Sequence, residues 1–141
     1  MSIAVDGFAH VRLTVTDIFR SRAFYDSVFA LPVAFEVPPD ADEETRRQLG
    51  FLFGGVIYRL GSGLLGLRPV APGTDRFDED RVGLDHLSFA VADRGALQAA
   101  AARLDELGIP HGGVKDLGRA LLLEFRDPDG IALELYTNDT A

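Results

Sequence analysis

A chain of 141 residues, 47% of them hydrophobic, has the size of one domain with a core of its own. Its formal net charge of -8 repels phosphate backbones and anionic lipid surfaces, so neither nucleic acid nor a membrane is expected as a partner. With no cysteine there is no disulfide, thiol nucleophile or thiolate metal site, and any metal must be held by nitrogen and oxygen.

The first residues, Met1 to Asp6, lack the charged start and apolar run of a signal peptide. No stretch approaches the ~18 uninterrupted apolar residues of a membrane span, and the expectation is a cytoplasmic protein. From His10 to Asp17 apolar and polar residues alternate with a period of two, which predicts a half-buried strand ending at an aspartate. Asp17 is placed to cap a helix, with Phe24, Val28 and Leu31 on one face and Pro32 as its stop. The segment 38–50 is mostly charged and reads as a solvated loop whose second part forms a short helical turn, or alternatively as a lid. Two strands, 55–60 and 64–70, then flank the glycine-rich turn Gly61-Ser62-Gly63. An acidic, irregular linker follows from Ala71 to Asp80.

The second half repeats the first. The shift that carries His10 onto His86 also carries Val11 onto Leu87, Leu13 onto Phe89, Val15 onto Val91 and Asp17 onto Asp93. It continues through the next helix, pairing Val28 with Leu104 and Leu31 with Leu107. That helix shows an apolar stripe of Leu97, Ala100, Ala101 and Leu104, closed by Gly108 and Pro110. Strands 120–126 and 131–136 flank Asp127-Pro128-Asp129-Gly130, with proline and glycine where turn chemistry places them. The expected fold is therefore α+β: two tandem β-α-β-β-β modules, about 8–70 and 84–137, in one domain spanning 1–141.

A histidine opening each half, the Phe24-Tyr25 pair before Leu31-Pro32, and the closing run from Phe125 to Leu135 resemble the vicinal oxygen chelate superfamily. That superfamily comprises glyoxalase I, bleomycin-resistance proteins, fosfomycin-resistance proteins and extradiol dioxygenases. The resemblance implies curled mixed sheets around a shared concave cleft, commonly in a homodimer. Glyoxalase I enzymes carry a fourth ligand, usually glutamate, where this chain has Gly66, so the resemblance points away from glyoxalase I itself.

Strand alternation selects the residues for that cleft. If Val11, Leu13 and Val15 pack beneath the helix, His10, Arg12 and Thr14 face the other way. By the same alternation His86 and Ser88, and Glu134 and Tyr136, turn inward. His10, His86 and Glu134 form a two-histidine, one-carboxylate set suited to Fe(II), Mn(II) or Zn(II) with coordination positions left open. Around it, Arg12, Arg68 and Ser88 are candidate substrate-binding residues, the arginines through paired hydrogen bonds to a carboxylate or phosphonate. Glu124 is a candidate general base and Tyr136 a candidate proton donor or aromatic wall. Phe51, Phe53 and Tyr58 are candidates for the apolar lining, although aromatic residues in such positions more often belong to the core, and His111 reads as structural or exposed. Two functions stay open: a divalent-metal dioxygenase, lyase, isomerase or transferase acting on a small oxygen-rich molecule, and a metal-free drug-binding protein of the bleomycin-resistance type.

Overall fold

The computed structural model describes residues 1–141 and divides them into two compact units, Met1–Thr74 and Asp75–Ala141. The first unit runs β1 (His10–Thr14), α1 (Ile18–Val28), β2 (Val33–Phe35), α2 (Glu43–Gln48), a 3₁₀ turn (Gly50–Leu52), β3 (Val56–Leu60) and β4 (Gly63–Arg68). The second runs β5 (Leu87–Ala90), α3 (Arg94–Glu106), β6 (His111–Asp116), β7 (Leu121–Arg126) and β8 (Ala132–Thr137). Each unit has one open four-stranded sheet, ordered β1-β4-β3-β2 in the first and β5-β8-β7-β6 in the second. In both, the first strand lies parallel to the last and the other pairings are antiparallel. The α+β class and the repeated β-α-β-β-β plan are those expected from the sequence.

Each helix starts where an aspartate satisfies its free N–H groups. Asp17 Oδ1 accepts from the amides of Phe19 and Arg20 at 2.9 and 3.1 Å, and Asp93 Oδ1 from that of Ala96 at 2.9 Å. The two helices end differently. Gly108 adopts φ 69° after α3, and the amide of Ile109 reaches back to the carbonyl of Leu104 at 2.9 Å. Helix α1 stops at Val28, earlier than the sequence suggests, with Ala30 taking the left-handed conformation at φ 50°. Pro32 explains the early exit, because the residue before a proline is pushed out of helical geometry. Only Ser21 and Tyr25 of α1 are fully buried, so Tyr25 anchors the helix in place of the expected Phe24–Val28–Leu31 face.

The helices cover one face of each sheet. Leu13, Val15, Val56, Tyr58, Leu65 and Leu67 form the buried face of the first unit; Phe89, Leu121, Leu123, Phe125, Leu133 and Leu135 form that of the second, with Leu97 and Leu104 of α3. Tyr58 belongs to this core and not to a pocket wall: it is 1% exposed and its hydroxyl donates to Asp26 Oδ1 at 2.8 Å. The charged segment 38–50 becomes α2, capped by Asp42, and leads into the 3₁₀ turn whose Leu52 is fully buried. Burial on one face leaves the other to polar residues, and the candidate site residues lie there.

Candidate functional site

In the second unit the open face carries a row of polar residues held in register across three strands. Ser88 on β5 stands opposite Glu134 on β8, which stands opposite Glu124 on β7. The Ser88 hydroxyl donates to Glu134 Oε1 at 2.7 Å. The other oxygen, Oε2, lies 3.8 Å from His86 Nε2, at the start of β5. His86 is turned by its sequence neighbour: its Nδ1 meets Asp85 Oδ1 at 2.6 Å, which directs Nε2 toward Glu134. Asp85, His86, Glu124 and Glu134 line a cavity of about 310 Å³ together with Glu79 and Arg126.

The electrostatics of this cavity favour a cation. Glu134 is only 9% exposed, and Glu124 sits directly across from it on the neighbouring strand. Like charges facing across a ladder repel, so positive charge between them is stabilising. His86 responds accordingly: its hydrogen bond to Asp85 raises its pKa above the usual histidine range, burial opposes this, and Glu134 and Glu124 add to the rise. Glu124, the candidate base, is exposed and pairs with Lys115 Nζ at 2.8 Å. Arg126 forks onto Glu79, and that hydrogen bond holds the Glu79 carboxyl at about 2. Tyr136 lies on the same face, one alternation beyond Glu134, with its hydroxyl donating to Asn138 Oδ1 at 3.1 Å.

The first unit presents a different face. His10, Arg12 and Thr14 of β1, Gly66 and Arg68 of β4, and Ile57 and Arg59 of β3 share it. His10 is exposed and lines a second cavity, of about 270 Å³. Arg12 Nη2 donates to the carbonyl of Phe51 at 2.7 Å. Arg68 places its guanidinium 4.4 Å from the centre of the Phe53 ring. Of the expected lining, Phe51 borders this cavity, whereas Phe53 serves Arg68. His111 is structural, as expected: Nε2 meets Asp105 Oδ1 at 2.8 Å and Nδ1 accepts from the amide of Gly113.

The expected ligands are thus only partly gathered. His86 and Glu134 face each other, with the imidazole nitrogen and carboxylate oxygen that Zn(II), Fe(II) or Mn(II) accept. No group of three or more His, Asp or Glu side chains is placed to hold a metal ion. The donor chemistry fits; the donor count stops at two. Sequence reasoning missed Asp85, Lys115, Glu79 and Arg126. The first was legible as the residue preceding His86; the others required knowing which strands are neighbours.

Comparison with known proteins agrees with this architecture. The sequence model of the Glyoxalase/Bleomycin resistance protein/Dioxygenase superfamily matches residues 7–135. The chain belongs to that superfamily. A superfamily domain from Frankia sp. EAN1pec is 30% identical in sequence, with a TM-score of 0.75 over 96% of this chain and 99% of that one. The uncharacterized protein YaeR of Escherichia coli K12 is 28% identical over 129 residues, 90% of this chain and 92% of YaeR. A lactoylglutathione lyase from Agrobacterium tumefaciens shares the fold at 21% identity and a TM-score of 0.68, over 94% of this chain and 93% of the lyase.

Proposed function

We propose that this chain is a divalent-metal-dependent enzyme acting on a small oxygen-rich molecule, with His86 and Glu134 holding the ion. The observation that carries this reading is the pair itself: an imidazole Nε2 and a nearly buried carboxylate oxygen, 3.8 Å apart on the wall of an acidic cavity. Each partner is oriented by a further group, His86 by Asp85 and Glu134 by Ser88, as ligands of catalytic metals commonly are. His10, expected as a third ligand, belongs to the first unit and lines that unit's own cavity. A bound divalent ion would act as a Lewis acid toward an oxygen of the substrate. Glu124, once Lys115 releases it, and the Tyr136 hydroxyl, on the same face of the sheet, are the groups proposed to move a proton. Dioxygenase, lyase, isomerase and transferase chemistry all lie within this reading.

Elemental analysis of protein purified without chelator or immobilised metal tests it. Stoichiometric Fe, Mn or Zn, lost in His86→Ala and Glu134→Ala, is the expected result. Failure of all three added ions to bind or to raise the melting temperature would overturn it.

The count of two donors favours a second reading, a metal-free protein that sequesters a small ligand. A ligand that stabilises the protein equally in the presence of chelator, with no turnover, would support that reading against the first. Either form is proposed to work as a homodimer, and a monomer by sedimentation at micromolar concentration would remove that part of the proposal.

A further inference from the structure

The open face of the first unit departs from the overall charge of the chain. The protein carries a net charge of -8, yet the strand residues on this face are His10, Arg12, Arg59 and Arg68 among neutral ones, with no acidic residue. Arg12 forms no ion pair. It spends one N–H on the Phe51 carbonyl, and its Nε is buried with no hydrogen-bond partner. A guanidinium on an apolar wall without a counter-charge is costly, and a buried N–H left unpaired is rare enough to require a reason.

The surroundings supply one. The cavity of about 270 Å³ is walled by Phe35, Phe51, Ile57 and Leu64, with His10 and Arg12 as its polar groups. Phe35 and Phe51 meet edge to face with ring centres 6.2 Å apart. Arg12 reaches this position by crossing Gly66: a Cβ at position 66 would lie 2.9 Å from Arg12 Cγ and 3.4 Å from Ile57 Cγ1. Any side chain there must push the arginine stem aside. The glycine that removes a possible carboxylate ligand thereby makes room for a cation.

We infer that this pocket binds a small organic monocarboxylate with an aryl or branched alkyl body, its carboxylate on Arg12 and its body against Phe35, Phe51, Ile57 and Leu64. The planar guanidinium matches a carboxylate through paired hydrogen bonds, and the cavity volume suits a single ring or short branched chain. A carboxylate is favoured over a phosphonate because Arg12 is the one arginine or lysine lining the cavity, a single fixed charge that matches one negative charge and not two. The inference goes beyond the function proposed above: it assigns the first unit a ligand site of its own, and it does not depend on the His86–Glu134 pair holding an ion.

Phenylacetate, added to the full-length protein in the presence of chelator, is the probe. Titration followed by amide chemical shifts should saturate, with the largest shifts at Arg12, Gly66 and the Phe51 region. Arg12→Gln and Gly66→Ala should each weaken binding by about tenfold or more, from loss or displacement of a charge-assisted pair. Arg81→Gln, which removes the same charge from the second unit, should leave it unchanged. Neutral phenylacetamide should bind the wild-type protein about tenfold more weakly than phenylacetate, a comparison that holds even if a variant fails to fold. Equal binding of the amide, tighter binding of phenylphosphonate, shifts centred on the second unit, or no saturation by about 10 mM would each overturn the inference. Because chelator is present throughout, failure of the metal reading leaves these outcomes untouched.

Discussion

The Ser88 hydroxyl donates to one oxygen of Glu134, and the other oxygen of that carboxylate faces His86. This division of labour fixes the rotamer of a group that would otherwise be free to pair elsewhere. Removing the hydroxyl in Ser88→Ala should lower divalent-metal affinity by about 10- to 100-fold, the usual effect of losing a group that orients a ligand, while Glu134→Ala should abolish it. Calorimetric titration with Zn(II) or Mn(II) measures both. Unchanged affinity in Ser88→Ala would show that Glu134 needs no such support.

Asp85 makes His86 a proton store, and the sign of the pH dependence follows. A histidine pKa raised in the folded state above the ordinary 6.5 contributes stability that is fully present below 6.5 and lost as pH rises through the raised value. His86 is substantially exposed, so the effect on stability is small. Metal binding has the opposite sign, because it requires the neutral imidazole. The metal-induced rise in melting temperature should therefore grow from about pH 6 to about pH 8. Asp85→Asn, which removes the principal cause of the raised pKa, should move the onset to lower pH. Thermal unfolding across that range, with and without Zn(II), checks the prediction; a metal effect constant with pH would contradict it.

Tyr58 ties the buried sheet of the first unit to α1 through Asp26. Tyr58→Phe should cost about 1 kcal/mol, the usual net value of such a hydrogen bond, read by urea unfolding. Burial and the Asp26 bond both raise the Tyr58 pKa above the ordinary 10.0, so its contribution is present below pH 10 and declines as the pH rises beyond it. The phenylalanine variant should lose this part of the alkaline decline.

Ser21 is fully buried in α1 with its hydroxyl unpartnered. Here a substitution should help: Ser21→Ala removes an unsatisfied polar group and improves helix propensity, a combined gain of about 1 kcal/mol. A higher urea midpoint with unchanged slope is the expected reading. A loss of stability would mean that the hydroxyl has a partner in solution.

The parts of this structure that were legible in the sequence are those governed by local rules. Asp17 and Asp93 cap helices because their side chains reach amides two or three residues away, and Gly108 ends α3 because it alone there takes positive φ without cost. Strand alternation put Ser88 and Glu134 on one face, and the register sets them opposite each other there. The early end of α1 was hidden because the apolar spacing continues to Leu31, although the chain geometry before Pro32 does not permit a helix there. Tyr58 stayed open between pocket and core for another reason: an aromatic residue on a strand fits either until its partner, Asp26, is known. The crossing of Arg12 over Gly66 was beyond reach, since it depends on β1 lying directly beside β4.

That neighbour relation also governs how the chain can be assembled. In each unit the first strand pairs only with the last, so β1 waits for β4 and β5 for β8. Such long loop closures slow folding, and they prevent a growing chain from completing a sheet before nearly the whole unit has been synthesised. Once β4 has emerged, however, the first sheet needs no strand from the second. A unit that ends by embracing its own beginning can be copied whole in a gene without leaving either copy unfinished.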